Sequence, residues 1–541
     1  MKDWIKNGWF VISGKQTSIL SAAFVIGGAW GVSAVLGIIR YRLIYAKFLS
    51  CCAGELDAYN AAFRLPDLVF QLVVTGALSA AFIPVFSQKL AENEEKANRL
   101  ASGFLTILVT LFFGLAILLI IFARPLSLTM AGGFLPYQID LMTRFTRWLL
   151  LAQLMFLVSN FLTGIIQSHQ RFLVPALSPV AYNLGIILGV WLLSPVWGIG
   201  GAVAGVIIGA GMHLAIQVPL VVRLGFKFLP SWDWRDSEVR RIFKLMLPRT
   251  AALAVSQIEA TAVVIFAAAL SAGSLSLFYL AQTLANLPVN IFGVTLGQAA
   301  LPALSQVGER KREEFSELVV GSVLQVLFLA LPATALLVVL RVPVVRLAFG
   351  AKTFPWAATL LTGRTLALFA GWVIGGAMVQ ILARSFYALH DTKTPFYWGA
   401  GAVIVNVVLG FIFISAGWGI LGLAVAFSVS ALVHAGGLGW SLRKWLAREQ
   451  TVSGYRSFGK MLLSSLVMAA VLWVVMRVLD RYVLDTTRVW PLVGLTAAAL
   501  GMGGGIYIGL CWFLRVNQLW SFVSLLTRFG KWKEALGASE R

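Results

Sequence analysis

Cationic side chains able to bind an anion lie close together near the start of an otherwise apolar chain. Arg40 and Arg42 are followed by Lys47 and, further along, by Arg64. Guanidinium groups pair with phosphate oxygens through two parallel hydrogen bonds, so this grouping suits an anion such as a pyrophosphate. The alternative is that the first three cations only extend to the outer membrane interface while their stems stay in apolar surroundings. We therefore predict a substrate-binding role for Arg40, Arg42 and Arg64.

Acidic side chains accompany this cluster and also occur alone. Asp57 precedes Arg64 in the same apolar stretch, and it is predicted to contribute to the same binding site, although Arg64 could instead pair with Asp57 or Asp67. Glu259 lies by itself in a later apolar segment. Isolated acids inside a membrane often bind a coupling cation or a proton. We predict ion coupling at Glu259, with neutralisation of a nearby arginine as the alternative.

Prolines interrupt two apolar segments at related places. They are Pro66 and Pro84 in the first segment, and Pro288 and Pro302 in the second. Broken membrane helices line cavities in transporters because their freed backbone groups then face water or a ligand. We expect these four prolines to act as kinks or gates.

The elements that must position these residues are membrane-spanning helices. The chain is 59% hydrophobic and only 12% charged, against about 25% charged in a typical soluble protein, which favours an all-α polytopic membrane protein. Runs of about 20 apolar residues, the length of one membrane crossing, number about fourteen. They lie near 17–39, 58–88, 101–123, 145–167, 172–194, 198–222, 243–271, 276–305, 317–340, 362–388, 394–415, 418–442, 457–478 and 490–514.

The chain also repeats itself. The stretch from Trp197 to Gly201 returns as Trp418 to Gly422, at an offset of about 221 residues. Such a repeat predicts two pseudo-symmetric six-helix lobes that alternately expose a cavity between them. The predicted domains are a first lobe at 1–222, a cytoplasmic linker at 223–242 that forms a surface helix, a second lobe at 243–442, and two extra helices with a tail at 443–541.

We interpret the net charge of +21 as a signal of how the chain is oriented in the membrane rather than of nucleic-acid binding. Most lysines and arginines fall in the segments that are cytoplasmic if both termini are cytoplasmic, as the positive-inside rule requires. No metal spacing or nucleophile motif occurs, so we expect no cofactor, no metal and no enzymatic activity. Cys51 and Cys52 are adjacent and therefore make a poor disulfide pair.

Four motifs in order resemble a known family over nearly the whole chain. They are Gly76 to Pro84, preceded by Ala62-Phe63-Arg64-Leu65-Pro66; Arg171-Phe172 with Pro175-Ala176, Pro179 and Asn183; Gly273-Ser274 with Ser276 and Tyr279, then Leu287-Pro288; and Phe386-Tyr387-Ala388 with Asp391 to Pro395. These segments are similar to the MurJ (MviN) lipid II flippases, within the multidrug/oligosaccharidyl-lipid/polysaccharide exporter superfamily.

The resemblance implies a V-shaped pair of six-helix lobes, with helices thirteen and fourteen forming a groove for a lipid tail. Arg40 and Asp57 retain family positions, but several charged positions of the family are replaced. The replacements are Ala34, Tyr41, Phe70 with Gln71, Thr75 and Thr283. The anion site implied by the family is thus reduced.

The expected function is that of a flippase carrying the peptidoglycan precursor lipid II to the outer leaflet of the bacterial cytoplasmic (inner) membrane by alternating access, for cell-wall synthesis and cell shape. The expected partners are this or a related polyprenyl-pyrophosphate glycan and membrane lipids, with the protein itself a monomer. Two alternatives remain: export of another polyprenyl-linked glycan or a drug on the same fold, and a non-transporting membrane scaffold for cell-wall synthesis.

Overall fold

A computed structural model describes residues 19–75, 82–308, 311–350, 353–482 and 489–530. These residues form helices joined by turns, with no β-strand among them, so the predicted all-α fold class is confirmed. Residues 76–81, which carry most of the Gly76 to Pro84 motif, lie outside the described part of the chain.

The helices of six or more residues follow one another with short connections, and a further four-residue helix covers Ser194–Trp197. In chain order they are α1 (Ile19–Ala62), α2 (Arg64–Phe70), α3 (Ile83–Glu92), α4 (Glu94–Met130), α5 (Pro136–Ser168), α6 (Leu173–Leu188), α7 (Gly200–Ala215), α8 (Val218–Arg223), α9 (Ser237–Ala268), α10 (Ser274–Pro288), α11 (Thr295–Val307), α12 (Arg312–Val339), α13 (Arg341–Phe349), α14 (Trp356–Leu368), α15 (Ala370–Ala388), α16 (Lys393–Ser415), α17 (Gly419–Leu442), α18 (Arg448–Tyr482), α19 (Val489–Phe513) and α20 (Asn517–Gly530). Wider π-helical turns follow α2 at Gln71–Thr75, α6 at Gly189–Leu193 and α10 at Val289–Val294.

Ten stretches of helix are long and apolar enough to cross a membrane, so the chain is a multi-pass membrane protein. An eleventh crossing results if α14 and α15, which meet at an angle of 43°, form one span. The predicted count of about fourteen is therefore not confirmed over the described residues. The helix α9 illustrates the reason, because charged residues occupy its first turns and only Leu253–Ala268 forms an apolar stretch. The predicted segment 58–88 is likewise divided among α1, α2, a π-helical turn and α3.

The helix α1 contains a break close to its end. Cys52 has φ −144° and ψ 44°, which separates a long first part from a short second part. Because Cys52 leaves helical geometry, its side chain meets that of Cys51, and the structure joins the two as a disulfide. This pairing contradicts the expectation that the adjacent cysteines make a poor disulfide pair.

The chain divides into two compact units. The first holds the described residues up to Ser276 together with those of 348–355, and the second holds the remainder. The core of the first unit is aromatic: Phe82 packs against the tilted ring of Phe161 at 4.5 Å and stacks on Phe86 at 5.2 Å between ring centroids. All three side chains are fully buried.

Within the first unit, α6 and α7 touch backbone to backbone. A Cβ atom on Gly185 would collide with the backbone of Gly209, and one on Gly189 would collide with that of Gly205. Small residues permit this close approach between membrane helices. At these glycine positions, α7 approaches α6 and the π-helical turn after it too closely to leave room for a side chain.

In the second unit, the helices α18 and α19 pack on α12. Met461 and Met468 of α18 and Tyr507 of α19 are buried in one cluster with Leu327. The Tyr507 hydroxyl donates a hydrogen bond to the carbonyl of Phe328 at 2.9 Å. The two C-terminal spans are thus packed on α12 rather than separate from it.

The linker between α8 and α9 is not a helix. Residues 226–233 have no helical structure, and α9 begins only at Ser237, where the Asp236 carboxylate caps its first turn by accepting from the amide of Glu238 at 2.7 Å. The expected surface helix over this linker is wrong. The physical reason is that Gly225, at φ +79°, and Pro230 both break a helix, while Asp236 is a strong N-cap that starts the next one.

Candidate functional site: a cation-lined region of the first unit

Arg40 lies on α1 among aromatic rings. Its guanidinium carbon is 4.6 Å from the centroid of the Tyr41 ring and 5.9 Å from that of Tyr182 on α6. None of the ion pairs in the described part of the chain involves Arg40. Aromatic faces stabilise a cation without using its hydrogen-bond donors. The guanidinium also donates a hydrogen bond to the Tyr41 hydroxyl, so the partly exposed Arg40 side chain has its remaining N–H groups for an anionic ligand.

Polar contacts join α1, which carries Arg40, to α6 and to the π-helical turn after it. Asn183 donates from its side-chain amide to the backbone oxygen and to the hydroxyl of Ser33, both at 3.1 Å. The Lys47 ammonium reaches the carbonyl of Val190 at 3.4 Å. Arg40 and Lys47 are seven residues apart, two helical turns, so they share the α1 face that meets α6.

Arg42 does not share that face. Residues two apart on an α-helix point to nearly opposite sides, so Arg40 and Arg42 do not converge through helix geometry alone. Arg42 is partly exposed and makes no ion pair with another described residue. Of the predicted cluster, Arg40 and Lys47 lie together, and Arg42 lies apart.

Asp57 is fully engaged by the turn that begins α10. Its carboxylate accepts from the amides of Gly273 at 2.6 Å and Ser276 at 2.9 Å, and from the Ser276 hydroxyl at 2.5 Å. Asp57 is 1% exposed. Asn60 and Tyr45 complete the arrangement, since Asn60 donates to the Ser276 hydroxyl at 2.9 Å and Tyr45 donates to the Ser276 carbonyl at 3.1 Å. These are the contacts of a side chain that caps a helix N-terminus.

Arg64 is held by α9. Its Nε donates to the hydroxyl of Thr261 at 3.0 Å, and one terminal nitrogen donates to the carbonyl and to the side-chain oxygen of Gln257. Arg64 is buried, at 8% exposed. Asp67 accepts from Gln153 of α5 at 2.5 Å. A substrate role for Arg64 would require these contacts to rearrange.

Glu259 lies on α9 between the two residues that hold Arg64. Because Gln257 and Thr261 are four residues apart and share one face, Glu259 points away from them. It is partly exposed and forms no ion pair with any other described residue. The structure does not bring Glu259 together with Arg64.

The four prolines occupy different positions in their helices. Pro66 is the third residue of α2, and Pro84 is the second residue of α3, where a missing N–H is tolerated. Pro288 ends α10, and Pro302 lies inside α11. Both α2 and α10 continue into a π-helical turn, which widens the helix and frees backbone groups there.

A buried polar network in the same unit was not anticipated from the sequence. The hydroxyl of Ser159 is 2.6 Å from Nδ1 of His213, and it accepts from the Gln217 side chain at 2.8 Å. Thr163 donates to the same Gln217 at 2.9 Å. Phe156 packs edge-to-face on both the His213 and the Tyr182 rings, which links this network to the surroundings of Arg40. A lone histidine in an apolar helix was the available signal.

Comparison with known proteins agrees with this architecture. The family model described as "Lipid II flippase MurJ" matches residues 53–490. A probable lipid II flippase MurJ of Vibrio cholerae is 28% identical over 518 residues, covering 93% of this chain and 96% of that protein. The lipid II flippase MurJ of Burkholderia cenocepacia is 26% identical over 527 residues, covering 92% and 98%.

Solved structures show the same fold. A lipid II flippase MurJ in an inward closed conformation superposes with a TM-score of 0.75 at 22% identity, covering 91% of this chain and 99% of that one. An inward-facing multidrug resistance MATE family transporter of the MOP superfamily gives 0.62 at 14% identity, covering 76% and 94%. With a transporter fold and a family match over most of its length, this chain belongs to the lipid II flippase MurJ family.

Proposed function

We propose that this protein moves lipid II from the inner to the outer leaflet of the bacterial cytoplasmic membrane. The observation that carries the proposal is the environment of Arg40. A partly exposed guanidinium that rests on the Tyr41 and Tyr182 rings, with no carboxylate paired to it, is suited to a pyrophosphate. The relatives from Vibrio and Burkholderia, named for lipid II, support the choice of substrate.

The proposed cycle is alternating access. Arg40 and Lys47 bind the pyrophosphate from the cytoplasmic side, the two repeats rock, and the headgroup is released outside while the lipid tail stays in the bilayer. The positive charges of Arg40 and Lys47 make the cycle sensitive to the membrane potential. In this proposal the protein acts as a monomer, with both termini in the cytoplasm.

The other predicted site residues receive separate roles. Asp57 positions the start of α10 next to the binding region, and Arg64 ties α2 to α9 until substrate or a conformational change releases it. Glu259 is the proposed ion-coupling residue, because it is a membrane acid with no ion pair among the described residues. Pro66, Pro84, Pro288 and Pro302 let the second helix of each repeat bend during opening.

A second candidate substrate, another polyprenyl-linked glycan, is favoured by two contacts. Phe70 packs against Phe156 with ring centroids 6.4 Å apart, and the Thr283 hydroxyl bonds to the carbonyl of Tyr279 within its own helix at 2.7 Å. Positions where the family resemblance implies arginines therefore hold side chains that are satisfied internally. Fewer cations would suit a headgroup that makes fewer ionic contacts.

The test is complementation in a bacterium depleted of its own lipid II flippase, with surface exposure of lipid II as the readout. We expect the wild-type protein to restore exposure and Arg40→Ala to lower the rate about tenfold or more, since a hydrogen bond to a charged group contributes about 1.5–3 kcal/mol. Arg40→Lys keeps the charge but loses the planar fork, so an intermediate rate is expected.

The matched control is Arg99→Ala. Arg99 is an arginine on α4 whose side chain is 79% exposed and whose one ion pair within the described part of the chain is with Glu95 at 3.6 Å, so its loss is expected to leave lipid II exposure unchanged. A wild-type protein that inserts normally but restores no lipid II exposure would exclude lipid II and turn attention to the other glycan or to a scaffold. Equal rates for Arg40→Ala and Arg99→Ala would exclude Arg40 as a ligand.

A further inference from the structure

The linker between α8 and α9 is fixed along one side to the start of α4. Asn98 donates to the carbonyl of Gly225 at 3.3 Å, and the Ser102 hydroxyl donates to the carbonyl of Lys227 at 3.2 Å. The same hydroxyl accepts from the amide of Leu229 at 3.1 Å. These hydrogen bonds fix the orientation of the linker. The side of the linker that faces away from α4 therefore has a defined arrangement.

The outward side carries large apolar residues. Phe228 is 49% exposed, Leu229 65%, Trp232 56% and Trp234 43%. This segment is not helical, and a non-helical backbone exposed to lipid tails would leave its polar groups unsatisfied. Its aromatic residues therefore suit the membrane–water interface, where tryptophan is favoured, rather than the hydrocarbon core.

Cations surround these aromatic residues. Lys227, Arg235, Arg240 and Lys244 are exposed and form no ion pair among the described residues. The Arg240 side chain donates to the carbonyl of Trp234 at 3.1 Å, which keeps the two side by side.

The acidic side chains near this surface form hydrogen bonds or ion pairs with neighbouring groups. Asp233 accepts from the amides of Arg235 at 2.9 Å and Asp236 at 3.2 Å, and Asp236 caps α9. Glu238 pairs with Arg241 and with Lys89, both at 3.5 Å. These three acids keep their negative charge, but the same segment carries five cations, namely Lys227, Arg235, Arg240, Arg241 and Lys244, so it is net positive beside its aromatic residues.

We propose that this surface binds the headgroups of anionic phospholipids. The anchor surface comprises Phe228, Trp232, Trp234, Arg235 and Arg240. Its aromatic rings enter the interface, while the two arginines pair with lipid phosphates. Positive charge beside exposed tryptophan matches an anionic membrane surface, and the segment joins two helices of a membrane protein, which keeps it close to the headgroups. The anchor holds the linker at the membrane surface and is independent of the substrate that the protein carries.

The test is hydrogen–deuterium exchange of the linker in the full-length protein, reconstituted into nanodiscs of phosphatidylcholine alone or of phosphatidylcholine with phosphatidylglycerol at about 7:3. We expect slower exchange over residues 228–236 with the anionic lipid, and the difference to shrink at high salt. Each basic residue near an anionic surface strengthens binding about fivefold, so Arg235→Gln with Arg240→Gln should weaken it about 25-fold and abolish the difference.

The charge-matched control is Lys311→Gln with Arg312→Gln, at the start of α12. Both cations are exposed, Lys311 pairs with Glu314 at 2.9 Å, and the sequence has no tryptophan between Trp234 and Trp356, so the lipid-dependent difference should persist. Trp232→Ser with Trp234→Ser provides a variant that keeps the cations, and it should reduce the difference. Equal exchange of the wild-type linker in both lipids would overturn the proposal and leave the surface to a protein partner. So would an equal loss of the difference in the control variant.

Discussion

Removing the Asp57 carboxylate should release the turn that begins α10. Asp57→Ala deletes an acceptor that receives three hydrogen bonds, two from backbone amides and one from the Ser276 hydroxyl. Hydrogen bonds to a charged group contribute about 1.5–3 kcal/mol each, but water entering the vacated space would recover part of that. Replacing an N-cap residue by alanine costs about 0.5–2 kcal/mol of stability. Because Asp57 is buried, we expect its replacement to cost as much as the top of this range or more. We expect local opening to become easier by about 2–4 kcal/mol.

The assay is hydrogen–deuterium exchange of peptides covering residues 270–279. A loss of about 2 kcal/mol corresponds to exchange about 30-fold faster at the amides of Gly273 and Ser276, because about 1.4 kcal/mol is a factor of ten. Asp57→Asn keeps one acceptor oxygen and should fall between wild type and Asp57→Ala. Peptides from α19, which belongs to the second unit, should be unchanged.

The control is Asp140→Asn on α5. Asp140 is also an acid, but its side chain is 63% exposed and pairs with Arg124 at 3.4 Å, so the loss is expected to be about 0.5 kcal/mol or less. If residues 270–279 exchange no faster in Asp57→Ala than in Asp140→Asn, the carboxylate does not hold the turn, and the reasoning from its three hydrogen bonds is refuted.

Two further outcomes test the packing and the turns. Gly189→Ala should destabilise the protein by about 1–3 kcal/mol because its methyl group meets the backbone of α7, whereas Gly114→Ala, which meets nothing within 4 Å, should be neutral or slightly stabilising; thermal unfolding in detergent compares the two. Asp391 follows α15 in a turn, where burial alone would raise the carboxyl pKa but hydrogen bonds from Thr394 and Lys393 lower it below its ordinary value of 3.8. Its contribution to stability should therefore be complete above pH 3.8 and be lost as the pH falls through the folded pKa, and acid unfolding of Asp391→Asn beside wild type should show the variant losing less stability over that interval. Equal acid sensitivity of the two proteins would contradict this role of Asp391.

Apolar runs and charge placement were sufficient to predict the all-α membrane fold, because lipid imposes helical hydrogen bonding on every spanning segment. The number of crossings was harder to predict, since α9 combines a charged beginning with a short apolar part. Its assignment depends on what the charged turns contact. The break at Cys52 and the non-helical linker also depend on local backbone conformations that hydropathy does not encode.

The candidate site was predicted as a set of residues but not as an arrangement. Arg40 and Asp57 were selected by their charge and by the family resemblance, and neither reveals that one rests on Tyr182 while the other caps α10. Those partners come from α6 and from the α9–α10 turn, far away in sequence. Only tertiary packing brings them together, so no spacing rule along the chain could identify them.

The backbone contact between α6 and α7 provides a constant reference distance for spectroscopy. Two helices that already touch at Gly185 and Gly209 cannot approach further, and sliding would drive a neighbouring side chain into the space that each glycine leaves open. A pair of spin labels or fluorophores on the outer faces of these helices should therefore report one separation throughout the transport cycle. Distances from that pair to other helices can then be read as motions of those helices alone.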